Sequence, residues 1–179
     1  MGDRGCYDPP VMIRDGNLDD VPAVLGMFDS AVAWLTTEGR TGQWGSRPFS
    51  TDPARVERVT SWAMTDEMRI AEIDGEPAGC MVLGPALDYV SPAPGPEIYI
   101  RGLVIDQRFR GRGVGAALLE RASAEAAEQG IALVRVDCYA GDDGRLVKYY
   151  ESQGFTRTET FRVGEWPGQV LETRLPAGN

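Results

Sequence analysis

The chain has 179 residues, no histidine, three cysteines, and 27 acidic against 18 basic residues, for a formal net charge of −9. The absence of histidine excludes Ser-His-Asp and Cys-His catalysis and His-ligated zinc. Cys6, Cys80 and Cys138 are too far apart for a zinc knuckle or a Cys-x-x-Cys redox site, and their sparse, odd number fits a reducing cytoplasm. No metal site is therefore expected. The acidic balance argues against a nucleic-acid partner, and no apolar run approaches the roughly 20 residues of a membrane span.

Residues 1–10 read as a flexible tail without the apolar core of a secretory signal. Val11 to Arg14 is a short strand. Asn17 then reads as an N-cap, and Val21, Val24, Leu25, Phe28, Val32 and Leu35 recur at helical spacing, predicting a helix over 18–38. Residues 39–50 form a loop rich in glycine with Trp44 and Phe49 as aromatic anchors. Asp52-Pro53 opens a second helix to about residue 65. Strands over 68–73 and 78–83 are joined by the hairpin signal Asp74-Gly75. The prolines of 91–96 exclude a central strand there.

Residues 98–105 are dense in β-branched and aromatic side chains and predict a strand. A basic turn over 106–112 leads into a helix over 113–129, which Gly130 stops. A strand over 132–137, a loop over 140–144 and a helix over 144–152 follow. Two strands, 155–163 and 170–175, close the chain, with Trp166-Pro167-Gly168 as the turn. The order is β-α-α-β-β-β-α-β-α-β-β in one domain over 11–176, with a flexible tail before it.

The chemistry concentrates in LVIDQRFRGRGVGAALL, residues 103–119. A strand runs into Arg110-Gly111-Arg112-Gly113-Val114-Gly115 and then a helix. Glycines let the backbone approach a ligand, and a helix start offers free amides and the positive dipole end. Arg108, Arg110 and Arg112 reverse the sign of an acidic protein locally. The segment reads as a phosphate or pyrophosphate cradle. A Walker A loop needs Lys-Ser or Lys-Thr, which is missing. Gly111, Gly113 and Ala116 meet the Rossmann spacing, but that fold needs several βα units afterwards. Only 68 residues follow Gly111, and they end in two strands with no helix between.

Arg110, Gly113 and Gly115 also match [Q/R]-x-x-G-x-[G/A], and VKYYESQGF (147–155) places Tyr150, Gly154 and Phe155 as a Tyr-x-x-x-Gly-Phe segment. In these motifs and in the order of its elements the chain resembles the GCN5-related N-acetyltransferase (GNAT) superfamily over roughly 11–175. The resemblance implies a single-domain α/β (α+β) fold, with a mixed, mostly antiparallel sheet and helices on both faces. It also implies acetyl-CoA as co-substrate and an amine as acceptor. By the same resemblance the pyrophosphate is held by Arg110, Gly111, Arg112, Gly113, Val114, Gly115 and Ala116. The pantetheine lies along Leu103, Val104 and Ile105, with an amide near Val104 as oxyanion donor. Asp143 replaces the family's frequent Asn. Tyr150 is the expected general acid. For the base, Glu97 stands where some family members place a carboxylate at the entry to the central strand, and it reads equally as a solvated loop residue after Pro96; Asp137 could serve equally well or could cap a strand end. Trp34, Trp44 and Phe49 lie where the family lines its acceptor site, although aromatic residues there can equally anchor the loop. Cys138 is expected to be a packed thiol. A small-molecule amine is the expected acceptor, with a protein acceptor and a non-catalytic acyl-CoA sensor as alternatives. Homodimers are common in the family.

Overall fold

The computed structural model describes residues 8–176, so the expected tail falls outside the described residues except for its last three. Strands β1 (Val11–Asp15), β2 (Met68–Ile73), β3 (Glu76–Gly84), β4 (Glu97–Ile105), β5 (Leu133–Tyr139), β6 (Thr156–Val163) and β7 (Trp166–Arg174) form one sheet, ordered β1-β2-β3-β4-β5-β7-β6. Helices α1 (Val21–Thr37), α2 (Pro53–Ala63), α3 (Val114–Glu128) and α4 (Arg145–Ser152) cover it. Only β4 and β5 run parallel; every other neighbouring pair is antiparallel.

Local chemistry accounts for most boundaries. Asn17 accepts from the Asp19 amide and Asp20 accepts from the Asn17 amide, a reciprocal cap that starts a 3-10 turn. The α-helix proper therefore begins at Val21, three residues later than the sequence predicts. Asp52 caps α2 by accepting from the Ala54 amide. Asp74 and Gly75 both take positive φ, 51° and 77°, as a tight hairpin turn demands.

One expected turn is displaced. The last hairpin reverses at Gly164-Glu165, and Trp166, Pro167 and Gly168 belong to β7. Proline is tolerated because it sits near the start of the strand, where it still lends its carbonyl to the Ala140 amide. Gly168 is required there because the Phe161 ring of β6 crosses directly over it.

Alternation along the central strands divides the core. Ala71, Met81, Leu83, Ile100, Val134, Val136 and Leu171 face α3 and α4, meeting Leu118, Ala122 and Val147. Ile70, Cys80, Val82 and Val104 face α1 and α2, meeting Val24, Met27, Phe28, Val32 and Val59. Both faces of the middle strands are thus buried, each large side chain contributing roughly 1.5–3 kcal/mol by leaving water.

Two irregularities shape the centre of the sheet. The β4–β5 register runs from Glu97↔Leu133 to Ile100↔Val136 and then ends, although both strands continue. Arg101 and Asp137 are the first residues beyond that last pair. The β3–β4 register also shifts there: Val82 faces Gly102 and Leu83 faces Ile100, leaving Arg101 as the extra, bulged residue. The strands therefore fork, and both leave backbone amides and carbonyls unpaired along the gap.

Candidate active site

At one end of the fork lies the glycine turn. Gly111 and Gly113 adopt φ of 78° and 75°, which favours glycine, and a Cβ on either would meet open space. Gly113 is the N-cap of the 15-residue α3 and offers no side-chain cap, so the first-turn amides keep their donors free. The chemistry of this donor set fits the pyrophosphate of acetyl-CoA. Gly115 has a different reason: the Tyr149 hydroxyl occupies the space its Cβ would need.

The arginine cluster is less free than the sequence suggests. Arg108 is held by Asp106, with Nη2 3.1 Å from Oδ2. Arg112 pairs with Asp8 at 2.9 Å. Arg110 has no carboxylate partner among the described residues and lies 4.2 Å over the Trp34 ring. Folding neutralises two of the three charges, and Trp34, expected to line the acceptor site, instead carries the motif arginine through a cation–π contact.

Below the turn, Leu103, Val104 and Ile105 form the end of β4 along the open gap; Val104 is packed toward α1 and α2, and its neighbours toward α3. Asp143 sits at φ 61° in the turn before α4, a left-handed conformation that Asn and Asp tolerate best. Its exchange with the family's Asn is conformationally conservative.

Tyr150 projects from α4 into the α3/α4 side of the core, edge-on to Phe155 and Tyr149. Its hydroxyl has no hydrogen-bond partner among the described residues. Burial, reinforced by Cys138, Tyr149 and Asp137, holds the phenol pKa well above its usual value. Cys138 is buried too, and its thiol is pushed up to about 12 by burial and the nearby Asp137.

Asp137 and Cys138 are consecutive on β5 and therefore face opposite sides of the sheet. Asp137 points to the α1/α2 side, where it accepts a short hydrogen bond from the Tyr99 hydroxyl. Burial pushes its carboxyl above the ordinary range, and the Tyr99 bond opposes this. A buried carboxyl is thus placed on one face of the fork and a buried phenol on the other.

Glu97 is not brought to the fork. It begins β4, where the strands are still paired, and Arg135 grips it with Nε–Oε2 2.5 Å and Nη2–Oε1 2.9 Å. Phe49 and Trp44 are likewise core anchors. Phe49 is buried, stacked on Phe28 at 4.3 Å and covered by the Arg55 guanidinium at 4.1 Å. Trp44 packs edge-on against both phenylalanines.

The loop those anchors fix reaches across the sheet. Trp166 Nε1 donates to the Gln43 carbonyl at 2.9 Å. The Tyr139 ring is wedged between Gly42 and Gly141, where any Cβ would overlap it, and leans on Trp166. The α1–α2 loop and the β6–β7 hairpin are thereby joined over the end of β5.

Sequence reasoning passed over Tyr99, Arg101, Arg135 and Tyr139. A signal existed: Glu97, Tyr99 and Arg101 alternate with Ile98 and Ile100, and Arg135, Asp137 and Tyr139 alternate with Val134, Val136 and Cys138. Central strands covered by helices on both sides ordinarily read as continuous apolar runs. A polar stripe on two neighbouring strands departs from that pattern.

The profile of the Acetyltransferase (GNAT) family matches residues 31–155, more than half of the chain. No curated protein matches the sequence significantly. Among solved structures, the fold is similar to that of a ribosomal-protein-alanine N-acetyltransferase from Brucella melitensis (22% identity, TM-score 0.66, 92% of this chain and 99% of that one). It is also similar to a GNAT-family acetyltransferase from Listeria monocytogenes (20% identity, TM-score 0.69, 92% and 95%). A third similar structure is yncA from Salmonella typhimurium, solved with its cofactor acetyl-CoA (19% identity, TM-score 0.61, 94% and 95%). The chain belongs to the GNAT acetyltransferase family and is an acetyl-CoA-dependent N-acetyltransferase.

Proposed function

We propose that this enzyme acetylates the primary amine of a small molecule by direct attack, without an acyl-enzyme. The observation that carries the small-molecule reading is the Trp166–Gln43 bridge. A peptide acceptor needs an open channel between the α1–α2 loop and the β6–β7 hairpin, and here these two elements are tied together.

Bound acetyl-CoA supplies an activated acetyl group on a thiolate leaving group. The unpaired β4 backbone beyond Ile100 suits the pantetheine amides, as an added strand would be held. An amide of the same edge, near Val104, is the candidate oxyanion donor. Asp137 takes a proton from the acceptor's ammonium, because only the neutral amine attacks and an alkylammonium titrates near 10. Its raised pKa suits it to hold that proton, and the Tyr99 hydroxyl fixes the carboxylate. On the other face, Tyr150 gives its proton to the departing thiolate. Cys138 takes no part: a thiol pushed to about 12 is neutral at working pH and a poor nucleophile.

The test is free-thiol release from acetyl-CoA against a panel of amino acids, polyamines, aminoglycosides and peptides. Turnover of small amines with none of peptides supports the proposal; turnover confined to peptides overturns it.

A further inference from the structure

Arg135 faces Tyr99 directly in the β4–β5 register, and Asp137 follows on the same side of β5. Each nitrogen of the Arg135 guanidinium has a partner. Nε and Nη2 donate to Glu97, and Nη1 donates to the Ser91 carbonyl at 2.9 Å. The guanidinium carbon also lies 5.4 Å from the centre of the Tyr99 ring, a cation–π contact. Tyr99 is fully buried, and its hydroxyl reaches diagonally across the strands to donate to Asp137.

The same guanidinium fixes what covers the ring. Tyr99 packs with Val90 of the β3–β4 connection and Val170 of β7. Ser91, next to Val90, is tied down by Arg135 and, through its own amide and hydroxyl, by Glu159 of β6. Glu97, Arg135, Tyr99 and Asp137 thus form one chain of contacts from the paired start of β4 to the fork. Burial favours the neutral form of Asp137, which cannot accept a proton, and the Tyr99 hydrogen bond favours the ionised form. A cation beside a phenol makes it a stronger donor. The other titratable and charged groups nearby are Tyr89 on the connection with Arg58 and Arg101 beyond it, Glu159 on β6, and Cys138 and Tyr150 across the sheet. Among the described residues none of these hydrogen-bonds to Asp137; Tyr99 does.

We propose that Tyr99 and Arg135 are positioning residues for the base: Arg135 holds the Tyr99 ring, and the Tyr99 hydroxyl holds Asp137 in its ionised, proton-accepting form. The inference rests on the reading of Asp137 as base and adds what keeps a buried carboxyl usable in that role. It also sets the lower pH limit of the reaction, because below it Asp137 already carries a proton. The arginine acts at one remove, touching neither Asp137 nor the acceptor.

The experiment titrates Asp137 directly, by carbon-13 NMR of the aspartate carboxyls in the whole enzyme, its signal being the one absent from Asp137→Asn. In Tyr99→Phe, which keeps the ring and its packing, the Asp137 titration is expected to rise by about one to two pH units, the worth of a hydrogen bond to a charged group. The pair Arg135→Met/Glu97→Gln removes the guanidinium without stranding its partner carboxylate, and a smaller rise is expected. Added to Tyr99→Phe, that pair should change the titration little further, as a group acting through the phenol requires. The acid limb of kcat/KM, read by thiol release from acetyl-CoA with the fastest of spermidine, kanamycin and leucine, should move with the titration. An Asp137 titration unmoved by Tyr99→Phe, or a full additive shift in the triple variant, overturns the positioning role while Asp137 stays the base. Turnover that survives Asp137→Asn with an unchanged acid limb overturns the base reading, and this role with it.

Discussion

Arg135 forks onto Glu97, with Nε 2.5 Å from Oε2 and Nη2 2.9 Å from Oε1, and this closed pair occupies the start of β4. The Arg135 side chain is only 7% exposed, so it depends on that carboxylate. Glu97→Ala is therefore expected to cost about 3–5 kcal/mol, because it strands a buried charge. The measurement is chemical denaturation, with kcat determined on the folded fraction. A large loss of kcat at unchanged stability would return Glu97 to the role of base.

Asp137→Asn is expected to separate rate from stability. Asn keeps an oxygen to accept from Tyr99 but cannot take a proton, and loss of a general base typically costs roughly 10²–10⁴ in rate. The stability effect has the opposite sign. A carboxyl whose folded pKa is raised prefers its neutral form in the native state. Its ionisation opposes folding in full at pH above that folded pKa; the opposition fades as pH falls through the folded pKa and is gone below the ordinary carboxylate range. The variant should thus melt higher than the wild type at pH 8, by about 2–4 °C per kcal/mol relieved, and the two should converge at low pH. A lower Tm at pH 8 would contradict the assignment of burial as the dominant cause.

For Tyr150→Phe, a fall in kcat of roughly 10²-fold is expected, in the range for one general acid. The phenol titrates well above its usual value, so it stays protonated across the neutral and mildly alkaline range. The wild-type kcat should accordingly show no alkaline decline from this group across that range. An unchanged kcat in the variant would remove Tyr150 from the mechanism. Its packing against Phe155 is retained by phenylalanine, so Tm should move little.

Gly42→Val tests the bridge over the acceptor cleft. The new side chain would overlap the Tyr139 hydroxyl and force the α1–α2 loop away from Trp166. The expected result is a KM for the amine raised by roughly tenfold or more, with KM for acetyl-CoA much less affected, since uniform binding is what is lost. Equal effects on both constants would mean that the loop serves the cofactor side as well.

Gly113→Ala probes the phosphate turn. A Cβ meets no atom there, so the cost lies in the backbone, where φ of 75° strains any L-residue by about 1 kcal/mol. KM for acetyl-CoA should rise more than that of the acceptor. A variant with unaltered cofactor KM would show that the turn is not bound closely.

Much of this protein was determined by local sequence alone. The Asn17 and Asp52 caps, the Asp74-Gly75 hairpin, the glycine turn into α3 and the Gly130 stop act over a few residues, so their chemistry is legible without a fold. The resemblance in Arg110–Gly115 and Tyr150–Phe155 is equally local. Even the last hairpin failed only by its register: Trp166-Pro167-Gly168 has turn composition, but the Phe161 ring lying over Gly168 and the pairing with β5 made it a strand. Only the tertiary structure decided what distant side chains do to one another. Glu97 and Asp137 read alike until Arg135, thirty-eight positions from Glu97, claimed the first. Three arginines read as one positive cluster until Asp8, Asp106 and Trp34 took one each. Arg101 looked like any strand residue until the register shift made it the bulged residue of β4, with its Nε buried and unpaired. Charge is free in the sequence and is assigned by long-range pairing, so which charges remain for a substrate is a property of the fold.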